Sequence, residues 1–313
     1  MKILVTGGGG FIGSALLQTI PSTHEVVSLS RGTNYDVLGP KLSKHVKLVK
    51  GDITDRELVH RLTASVDIVV HLAGIAGESQ CMKNPRLAAL SNILGTHVLI
   101  DSAIKNGIKR FLFGSSYWAY SFFDKRTMPL DENSDPSPDS FYGVTKIIAE
   151  KEIQELLPDR HIILRLSTVF GYGSGVGAQW KGLVGKYIQS AFNGSKLTVF
   201  GDGTQQIDLV HIDDVTCVLK HMVEDTSFKH GIYNIGGGRP VSINEIADTV
   251  IHLACTHFNI ETEVEKKNPP PGKIWPPRWM AIHKIRSVLL EFPRISLEDG
   301  ILDMMNQYKA NAQ

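Results

Sequence analysis

Residues 6–13 read Thr6-Gly7-Gly8-Gly9-Gly10-Phe11-Ile12-Gly13, directly after the strand-like segment Lys2–Thr6 and at the start of an amphipathic stretch. One glycine permits a tight turn, a second lets the backbone approach a pyrophosphate, and a third lets the following helix pack on the strand. The helix N-terminus then offers backbone N–H groups and a positive dipole end to phosphates. A glycine run alone also fits an ordinary flexible turn, but a strand before it and a helix after it are the context of a dinucleotide site. We therefore predict that this segment binds a dinucleotide.

The first half of the chain alternates short β-branched segments with longer amphipathic ones. Strands are predicted at Lys2–Thr6, Glu25–Leu29, Val46–Lys50, Asp67–His71, Arg110–Gly114 and Ile162–Leu166. Helices are predicted at Phe11–Ile20, Asp55–Leu62, Pro85–Lys105 and Phe141–Leu157. Thr54 and Glu57 have the spacing of a capping box for the second helix. The alternation predicts right-handed βαβ units, and so an α/β fold with a doubly wound parallel (Rossmann) sheet.

The alternation breaks after about residue 167, where glycines and prolines become frequent. Helical patterns continue at Trp180–Phe192, Asp213–Val223, Ile243–Leu253 and Leu297–Tyr308. Ser242 with Glu245 fits the capped start of the third of these. We predict that residues 1–168 form a dinucleotide-binding domain, rejoined by about 206–236. Residues 169–205 and 237–313 are then expected to form a smaller C-terminal α/β lobe that binds the substrate.

The composition is that of an ordinary globular protein. The 313 residues are 42% hydrophobic and 21% charged, and 33 Lys and Arg against 32 Asp and Glu leave a formal net charge of +1. These values exclude wholesale disorder and provide no basic field for nucleic acid. The chain has three widely spaced cysteines, no histidine pair at metal-ligand spacing and no apolar run of membrane-spanning length. We expect a cytoplasmic protein without a disulfide framework, a metal site or a membrane segment.

The segment after the second strand bears on the choice between NAD and NADP. An acidic residue there holds the ribose 2′-hydroxyl of NAD, but this chain reads Ser28-Leu29-Ser30-Arg31-Gly32. Ser30 is uncharged and Arg31 can pair with a phosphate dianion, so we favour NADP(H), with NAD(H) as the alternative. The competing interpretation is that Arg31 is a solvated loop residue. Asp52, after the third strand, is a candidate to accept a hydrogen bond from adenine, again with a solvated turn as the alternative.

Tyr142 and Lys146 stand four residues apart in Tyr142-Gly143-Val144-Thr145-Lys146, so they lie on one face of a predicted helix. A free phenol has a pKa of about 10 and is a poor base near neutrality. A lysine one turn away and a cationic nicotinamide favour the phenolate and lower that pKa, so Tyr142 can exchange the proton that accompanies hydride transfer. Ser115 and Ser116 end a strand that the doubly wound order places beside the cofactor. A serine there can hold the reacting oxygen near Tyr142.

Motifs in a fixed order along nearly the whole chain resemble those of the extended short-chain dehydrogenase/reductase family, the nucleotide-sugar epimerases and dehydratases. The matching segments are Thr6–Gly13, Gly51-Asp52, His71-Leu72-Ala73-Gly74, Asn92 with Gly95-Thr96, Ser115-Ser116, Tyr142 to Lys146, Leu164-Arg165, Gly201-Asp202-Gly203, Asp208, Val210 to Val215 and Tyr233 to Gly236.

The resemblance implies roles for individual residues. Tyr142 would be the acid/base, and Lys146 would bind the nicotinamide ribose and tune Tyr142. Ser116 would orient the substrate oxygen, with Ser115 as the alternative. Further cofactor contacts are expected at Ile53, Leu72, Ala73, Gly74, Asn92 and Val169. The family also implies a homodimer in which Pro85–Lys105 and Phe141–Leu157 of each subunit build a four-helix bundle.

Two positions next to the serines depart from the family pattern. Family dehydratases carry an Asp-Glu pair, and decarboxylating relatives a Glu, where this chain has Tyr117 and Trp118. Neither side chain can act as a carboxylic acid, so we expect neither dehydration nor decarboxylation. Epimerisation or ketone reduction at a carbinol remains. Both aromatic rings are candidates for the wall of the substrate pocket, with plain packing as the alternative.

Two further departures concern the nucleotide. Nucleotide-sugar relatives usually carry an Arg before the position of Asp208 and an Asn after the sixth strand, where this chain has Ile207 and Thr168. An apolar isoleucine cannot pair with phosphate. Candidates for the missing cation, each with a solvated loop charge as the alternative, are Arg239, Lys273 and Arg278.

These observations predict an NAD(P)-dependent oxidoreductase or epimerase that moves hydride to or from a sugar carbinol or ketone. The sugar is expected to be nucleotide-linked, and the enzyme to be a 4-ketoreductase or a 4-epimerase. One alternative is a reductase or epimerase of a small non-nucleotide alcohol. The other is a non-catalytic regulator that senses NADP(H).

Overall fold

The computed structural model describes residues 1–32, 42, 44–120, 128–173, 182–225, 227–272 and 276–312. The strands in these ranges are β1 Lys2–Thr6, β2 Glu25–Ser30, β3 Val46–Lys50, β4 Ile68–His71, β5 Arg110–Ser116, β6 His161–Leu166, β7 Thr168–Phe170, β8 Leu197–Phe200, β9 Gln206–Ile207, β10 Leu209–His211, β11 Gly231–Ile235, β12 Val241–Ser242 and β13 Val264–Lys267. The α-helices are α1 Phe11–Thr19, α2 Arg56–Thr63, α3 Glu78–Lys83, α4 Pro85–Ala89, α5 Gly95–Lys105, α6 Phe141–Leu156, α7 Leu183–Phe192, α8 Ile212–Glu224, α9 Ile243–Phe258, α10 His283–Arg286 and α11 Leu297–Ala312.

A parallel sheet forms the centre of the fold. Its seven strands in the described ranges follow the order β11-β6-β5-β4-β1-β2-β3, and every neighbouring pair is parallel. The chain starts at β1 in the interior, moves outward to β3, and returns through β4 to the other edge. This is the predicted doubly wound arrangement, in which ligands bind beyond the carboxyl ends of the strands where the order reverses.

Alternate residues of the strands bury two opposite faces of this sheet. Ile3 and Val5 belong to one apolar cluster, which includes residues of α1 and α8. Leu4 belongs to a second cluster with residues of α5 and α6. Because successive strand side chains point to opposite faces, a continuous apolar strand such as β1 needs helices on both sides.

A third apolar cluster lies among the later elements. It joins side chains of α7, β8, α9 and α11, and β8 pairs with β13 in a separate two-stranded sheet. The amphipathic patterns predicted for these helices are confirmed, although the Trp180–Phe192 helix is described only from Leu183. The division of the chain into two lobes at the stated boundaries stays a prediction.

Two helix N-cap residues were predicted from the sequence, and one of the two predictions is correct. Ser242 caps α9 by accepting a hydrogen bond from the Glu245 amide at 3.0 Å, as predicted. The capping box at Thr54 is wrong, because Asp55 is the cap residue and accepts from the Leu58 amide at 3.0 Å. Both residues are good caps, so their order in the sequence does not decide between them.

The segment Pro85–Lys105 is helical but not uniform. A π-helical turn, Leu90–Leu94, separates α4 from α5. By length and composition this segment could cross a membrane, because the mean hydropathy of its most apolar window is 1.4. Because it lacks a long unbroken apolar run, it was not identified from the sequence pattern. Slightly over half of that window, 56%, is buried inside the protein. Burial of Val98, Leu99 and Ile100 accounts for its apolar character in this fold.

Candidate active site

The glycine turn after β1 has the close contacts that require glycine. Gly7 has a φ of +78°, and a Cβ there would lie 2.6 Å from the backbone nitrogen of Ala73. A Cβ on Gly13 would lie 2.3 Å from the Gly7 carbonyl oxygen. Gly10 is the extended cap residue of α1 and provides no side-chain cap. The turn therefore brings β1, α1 and the segment after β4 together as a dinucleotide site requires.

A cavity of about 200 Å³ opens at this turn. Eight of the predicted cofactor residues line it, namely Gly9, Gly10, Ser30, Arg31, Asp52, Ile53, Ala73 and Gly74. Ser91, which no motif indicated, lines the same cavity. The predicted contact Val169 lies on β7 and packs against the apolar cluster of one sheet face. Leu72 follows β4, where its amide donates to the Thr6 carbonyl at 3.1 Å.

Arg31 and Asp52 both line this cavity. The Asp52 carboxylate accepts from the Thr54 amide at 2.9 Å and from the Thr54 hydroxyl at 2.8 Å. Burial opposes its ionisation, but these hydrogen bonds and the Arg31 charge hold the pKa of Asp52 below its ordinary value. The Arg31 side chain is exposed. Its charge therefore acts on Asp52 as well as on any phosphate that enters the cavity.

Tyr142 lies in the first turn of α6, and two residues hold that turn in place. Ser140 caps the helix by accepting from the Gly143 amide at 3.0 Å, and Glu78 of α3 accepts from the Tyr142 amide at 2.8 Å. The Tyr142 side chain is 7% exposed and hydrogen-bonds Ser116. The i, i+4 spacing puts Lys146 one turn further along the same face. The sequence contained no motif for the contact with Glu78.

Lys146 is buried beneath the aromatic side chains of the site. Its ammonium donates to the Gly114 carbonyl at 2.8 Å, and it lies 4.7 Å from the ring centroid of Phe113 and 5.9 Å from that of Tyr142. Burial lowers the pKa of Lys146 to about 8, against the raising effect of the Glu150 charge and of Cys81.

The two serines of β5 have different partners. Ser116 hydrogen-bonds the Tyr142 phenol, whereas the Ser115 hydroxyl donates to the Glu150 carboxylate. Adjacent strand residues point to opposite faces of a sheet, so only one of them can face Tyr142. The geometry brings together Ser116, Tyr142 and Lys146, whereas the Ser115 hydroxyl is bonded to Glu150, one turn after Lys146 on α6.

Burial raises the pKa of the Tyr142 phenol above its ordinary value, and the hydrogen bond from Ser116 opposes this rise. The expected lowering by Lys146 is therefore not the dominant effect in the protein alone. The desolvation of the buried phenol raises its pKa by more than the surrounding groups lower it.

Asn92 lies in the π-helical turn, where such turns frequently mark functional positions. Its side-chain amide accepts from the Ile75 amide at 2.7 Å and donates to the Ile75 carbonyl at 3.0 Å. It also donates to the Thr145 hydroxyl at 3.1 Å. Asn92 thus connects the segment after β4 to α6. Its partner on α6, Thr145, lies between Tyr142 and Lys146 in the sequence.

The tentative substrate residues separate into two groups. Ile207 and Arg278 line a cavity of about 640 Å³ bounded by α7, β8 and β9. The Tyr117 hydroxyl and the Thr168 hydroxyl lie 3.0 Å apart and are hydrogen-bonded to each other. Trp118 connects the groups, because it packs in the cluster that contains Tyr142 while the Arg278 guanidinium lies 4.5 Å from its ring centroid. Lys273 lies outside the described residues, and Arg239 pairs with Glu245 at 2.8 Å.

The sequence of this chain matches one family over most of its length. The family described as the NAD dependent epimerase/dehydratase family matches residues 3–236. The chain belongs to this family. The resemblance inferred from the motifs is thereby confirmed, and so is the fold class.

In the described residues, no group of three or more His, Cys, Asp or Glu side chains could hold a metal ion.

Three known proteins illustrate the relationship. A UDP-glucose 4-epimerase of Neisseria meningitidis serogroup C is 31% identical over 278 residues, which are 78% of this chain and 80% of that protein. The second is a UDP-glucuronic acid 4-epimerase from Bacillus cereus, whose crystal structure is a complex with UDP-glucuronic acid and NAD. It matches this fold with a TM-score of 0.86 at 27% sequence identity, and the match covers 99% of this chain and 100% of that one. A UDP-N-acetyl-alpha-D-glucosaminuronate decarboxylase of Bacillus cytotoxicus is 26% identical over 98% of both chains.

These relatives affect two expectations. The exclusion of decarboxylation is not confirmed, because one relative that matches over the full length is a decarboxylase. The preference for NADP over NAD is not supported, because the family is described as NAD dependent and the Bacillus cereus structure contains NAD.

Proposed function

We propose that this chain is a nucleotide-sugar 4-epimerase that uses Tyr142 to exchange the proton of the reacting sugar hydroxyl. The observation that carries the proposal is the contact between the Tyr142 phenol and Ser116, with the Lys146 ammonium one turn away. The UDP-sugar epimerases among the relatives support the nucleotide-linked substrate and the reacting carbon.

The residues around the glycine turn fit a nicotinamide dinucleotide. Gly7 and Gly13 let the turn pack closely against the segment after β4 and against itself. The turn leads into the N-terminus of α1, whose backbone N–H groups can bind a phosphate. When bound, this group would supply the hydride acceptor and donor for the carbinol carbon. With the positive charges of the nicotinamide and of Lys146 nearby, Tyr142 would react as the phenolate. The phenolate would take the hydroxyl proton as the carbinol becomes a ketone, and the resulting phenol would return that proton when the ketone is reduced from its opposite face. Ser116 orients the oxygen throughout, and Lys146 supplies positive charge below about pH 8.

We propose that NAD is the cofactor of the reaction and that the site with Arg31 can also bind NADP. The absence of an acidic residue at Ser30 removes the repulsion that excludes a 2′-phosphate. The NAD dependence of the family and the NAD in the Bacillus cereus relative support NAD, whereas the positive charge of Arg31 would also attract a 2′-phosphate.

The cavity lined by Ile207 and Arg278 is proposed to hold the nucleotide. It is bounded mainly by residues of α7, β8 and β9, with Pro276 and Arg278 from the later part of the chain. Arg278 lies between this cavity and Tyr142, because its guanidinium stacks on Trp118. This is the position that the diphosphate of a nucleotide-sugar would occupy if its sugar reached Tyr142. Arg278 can therefore replace the cation that Ile207 cannot provide.

Turnover assays test the proposal and separate it from its alternatives. UDP-glucose, UDP-N-acetylglucosamine and UDP-glucuronic acid are incubated with the purified protein and catalytic NAD, and the products are resolved by chromatography. A 4-epimerase interconverts at least one of them with its 4-epimer without net consumption of NAD. A 4-ketoreductase instead consumes NADPH or NADH stoichiometrically with a 4-keto sugar. Release of carbon dioxide from UDP-glucuronic acid would identify a decarboxylase.

We also propose a homodimer. Leu87, Leu90 and Leu94 are between 36% and 39% exposed, and Val144 and Ile148 of α6 are 39% and 41% exposed. The helical spacing of each set puts its members on one face. Two such faces from a second copy would bury these side chains in the predicted four-helix bundle, which sedimentation velocity can detect.

A cytoplasmic location is proposed as well. All three cysteines are unpaired, and Cys255 is exposed. Reduced, exposed thiols are typical of reducing compartments. Fractionation of the producing cells tests this assignment.

A further inference from the structure

A buried ion pair lies behind the proposed active site and takes no part in the chemistry described so far. Glu150 and Arg165 are 1% and 2% exposed. The Arg165 Nη2 donates to Glu150 Oε2 at 2.7 Å, and its Nε lies 3.2 Å from both carboxylate oxygens. Arg165 also stacks on the ring of Tyr120, with its Cζ 4.6 Å from the centroid.

Stability alone does not explain such a pair. Removing two charges from water is costly, and well-packed apolar side chains often replace a buried ion pair without loss of stability. The position of Glu150 offers a reason for its charge. It follows Lys146 by four residues on α6, so the two side chains lie on one face of the helix. It also accepts the hydroxyl hydrogen bond of Ser115, the residue before Ser116.

We propose that Glu150 is a positioning residue that provides the counter-charge of Lys146 and anchors the end of β5 through Ser115. By holding Ser115 against α6, it fixes the end of β5 from which Ser116 reaches Tyr142. Arg165 in turn fixes the carboxylate in place. The proposal rests on the functions proposed for Tyr142 and Lys146.

The groups around Lys146 leave Glu150 as its source of negative charge. From β5 it meets the Gly114 carbonyl and the Phe113 ring. From α3 it meets Cys81, and burial, followed by the charge of Glu78, raises the pKa of that thiol, so it stays neutral near pH 7.

Two more titratable groups face Lys146. From β4 it meets His71, whose pKa is lowered to about 3 by burial and by the Lys146 charge, so that this ring is neutral as well. From its own helix it meets the Tyr142 phenol, which burial keeps protonated. Burial lowers the pKa of Lys146 and the Glu150 carboxylate is the largest opposing influence.

Three variants test the proposal against a purely structural pair. Glu150→Gln keeps an acceptor for Ser115 but removes the charge. The double variant Glu150→Gln with Arg165→Met removes both charges, so it leaves no uncompensated buried arginine and keeps the test available even if the single variant is unstable. Glu150→Asp retains the charge. The matched control is Glu155→Gln, an exposed carboxylate on the same helix.

Two readouts are measured against pH for each variant. The first is kcat for UDP-sugar interconversion, and the second is the affinity for NAD by fluorescence titration. We expect an alkaline decline near pH 8 in the wild type, where Lys146 loses its proton. In Glu150→Gln and in the double variant, the decline moves to lower pH by about one unit or more. Glu150→Asp and Glu155→Gln keep it near the wild-type position.

A folded double variant whose alkaline decline coincides with that of the wild type would overturn the proposal, because a structural pair can be replaced without changing the titration of Lys146. The two readouts also separate this inference from the proposed function. If the wild type interconverts no UDP-sugar, the proposed function fails. The pH dependence of NAD affinity then still tests the role of Glu150. A shift of this pH dependence in the double variant supports the positioning role, and an unchanged pH dependence contradicts it.

Discussion

Ser115 and Ser116 are consecutive residues of β5, yet Ser116 hydrogen-bonds Tyr142 in the first turn of α6 while Ser115 donates to Glu150, about two turns further along the same helix. The sequence pattern left the choice between the two serines open. Their opposite directions follow from the period of two residues in a strand, and the helix α6 supplies a partner for each.

The serines therefore predict a difference between two otherwise similar variants. Ser116→Ala removes a hydrogen bond to the reacting oxygen and is expected to lower kcat by about 10- to 100-fold, as for loss of a hydrogen bond worth 1.5–3 kcal/mol. Ser115→Ala is expected to lower kcat less, because the Ser115 hydroxyl is bonded to Glu150 and not to Tyr142. Steady-state kinetics on both variants check this. Equal losses would place both serines in the same role.

Arg278 predicts a selective loss of affinity for phosphate. If it holds the diphosphate, Arg278→Ala raises the inhibition constant of UDP by about tenfold or more and leaves that of uridine within about twofold. Arg239→Ala, which breaks a surface pair with Glu245, is the matched control. Competition assays with UDP and uridine supply the constants. A parallel loss for both inhibitors would show that Arg278 only shapes the cavity.

The long-range parts of the site explain what sequence alone could and could not indicate. The glycine turn, and Tyr142 with Lys146, are local patterns whose geometry follows from one turn or one helix, so they were predictable. Trp118 and Arg278 are far apart in the chain and meet only through the fold. Ser91 and Glu78 carry no motif, and their places depend on how α3 and the π-helical turn pack.

The same distinction holds for the fold. The strands up to β6 were predictable because β-branched segments recur with helical patterns between them. The later short strands, such as β9 and β12, are two residues long. Segments of that length have no periodicity to detect, and their pairing depends on tertiary contacts.

Asp208 predicts a distinct pH dependence of stability. Its buried carboxylate accepts from the Gly237 amide at 2.6 Å and the Met280 amide at 3.0 Å. Burial raises its pKa from 3.8 to about 6, against those hydrogen bonds. Between these values the folded state holds more protons than the unfolded state, so Asp208 makes the protein more stable as the pH falls through 6 and less stable as it rises.

Asp208→Asn removes that dependence, because the amide resembles the protonated acid and does not titrate. The free energy of unfolding of the wild type relative to Asp208→Asn is expected to be larger at pH 4 than at pH 7, by an amount on the order of 3 kcal/mol. Urea denaturation at both pH values measures it. The exposed Asp248→Asn is the control. A relative stability that stays constant between the two pH values would contradict the prediction.

Arg31 predicts how the two dinucleotides differ. Arg31→Ala is expected to weaken NADP binding by about tenfold or more, because a phosphate dianion loses a charge-assisted partner, while NAD affinity changes by about twofold or less. Arg56→Ala, an exposed arginine at the start of α2, serves as the control. Isothermal titration with both cofactors gives the comparison. Equal weakening of NAD and NADP would mean that Arg31 supports the cavity rather than the 2′-phosphate.

The most direct test of the account compares wild type with Tyr142→Phe in two assays on the same preparations, UDP-sugar interconversion with catalytic NAD and equilibrium binding of NAD. The wild type is expected to interconvert a UDP-sugar with its 4-epimer. Tyr142→Phe is expected to lose at least about 100-fold in kcat, the contribution of a positioned general acid/base, while NAD affinity is retained. A Tyr142→Phe variant that turns over at the wild-type rate, or a wild type that binds NAD but converts no UDP-sugar, would contradict the central claim.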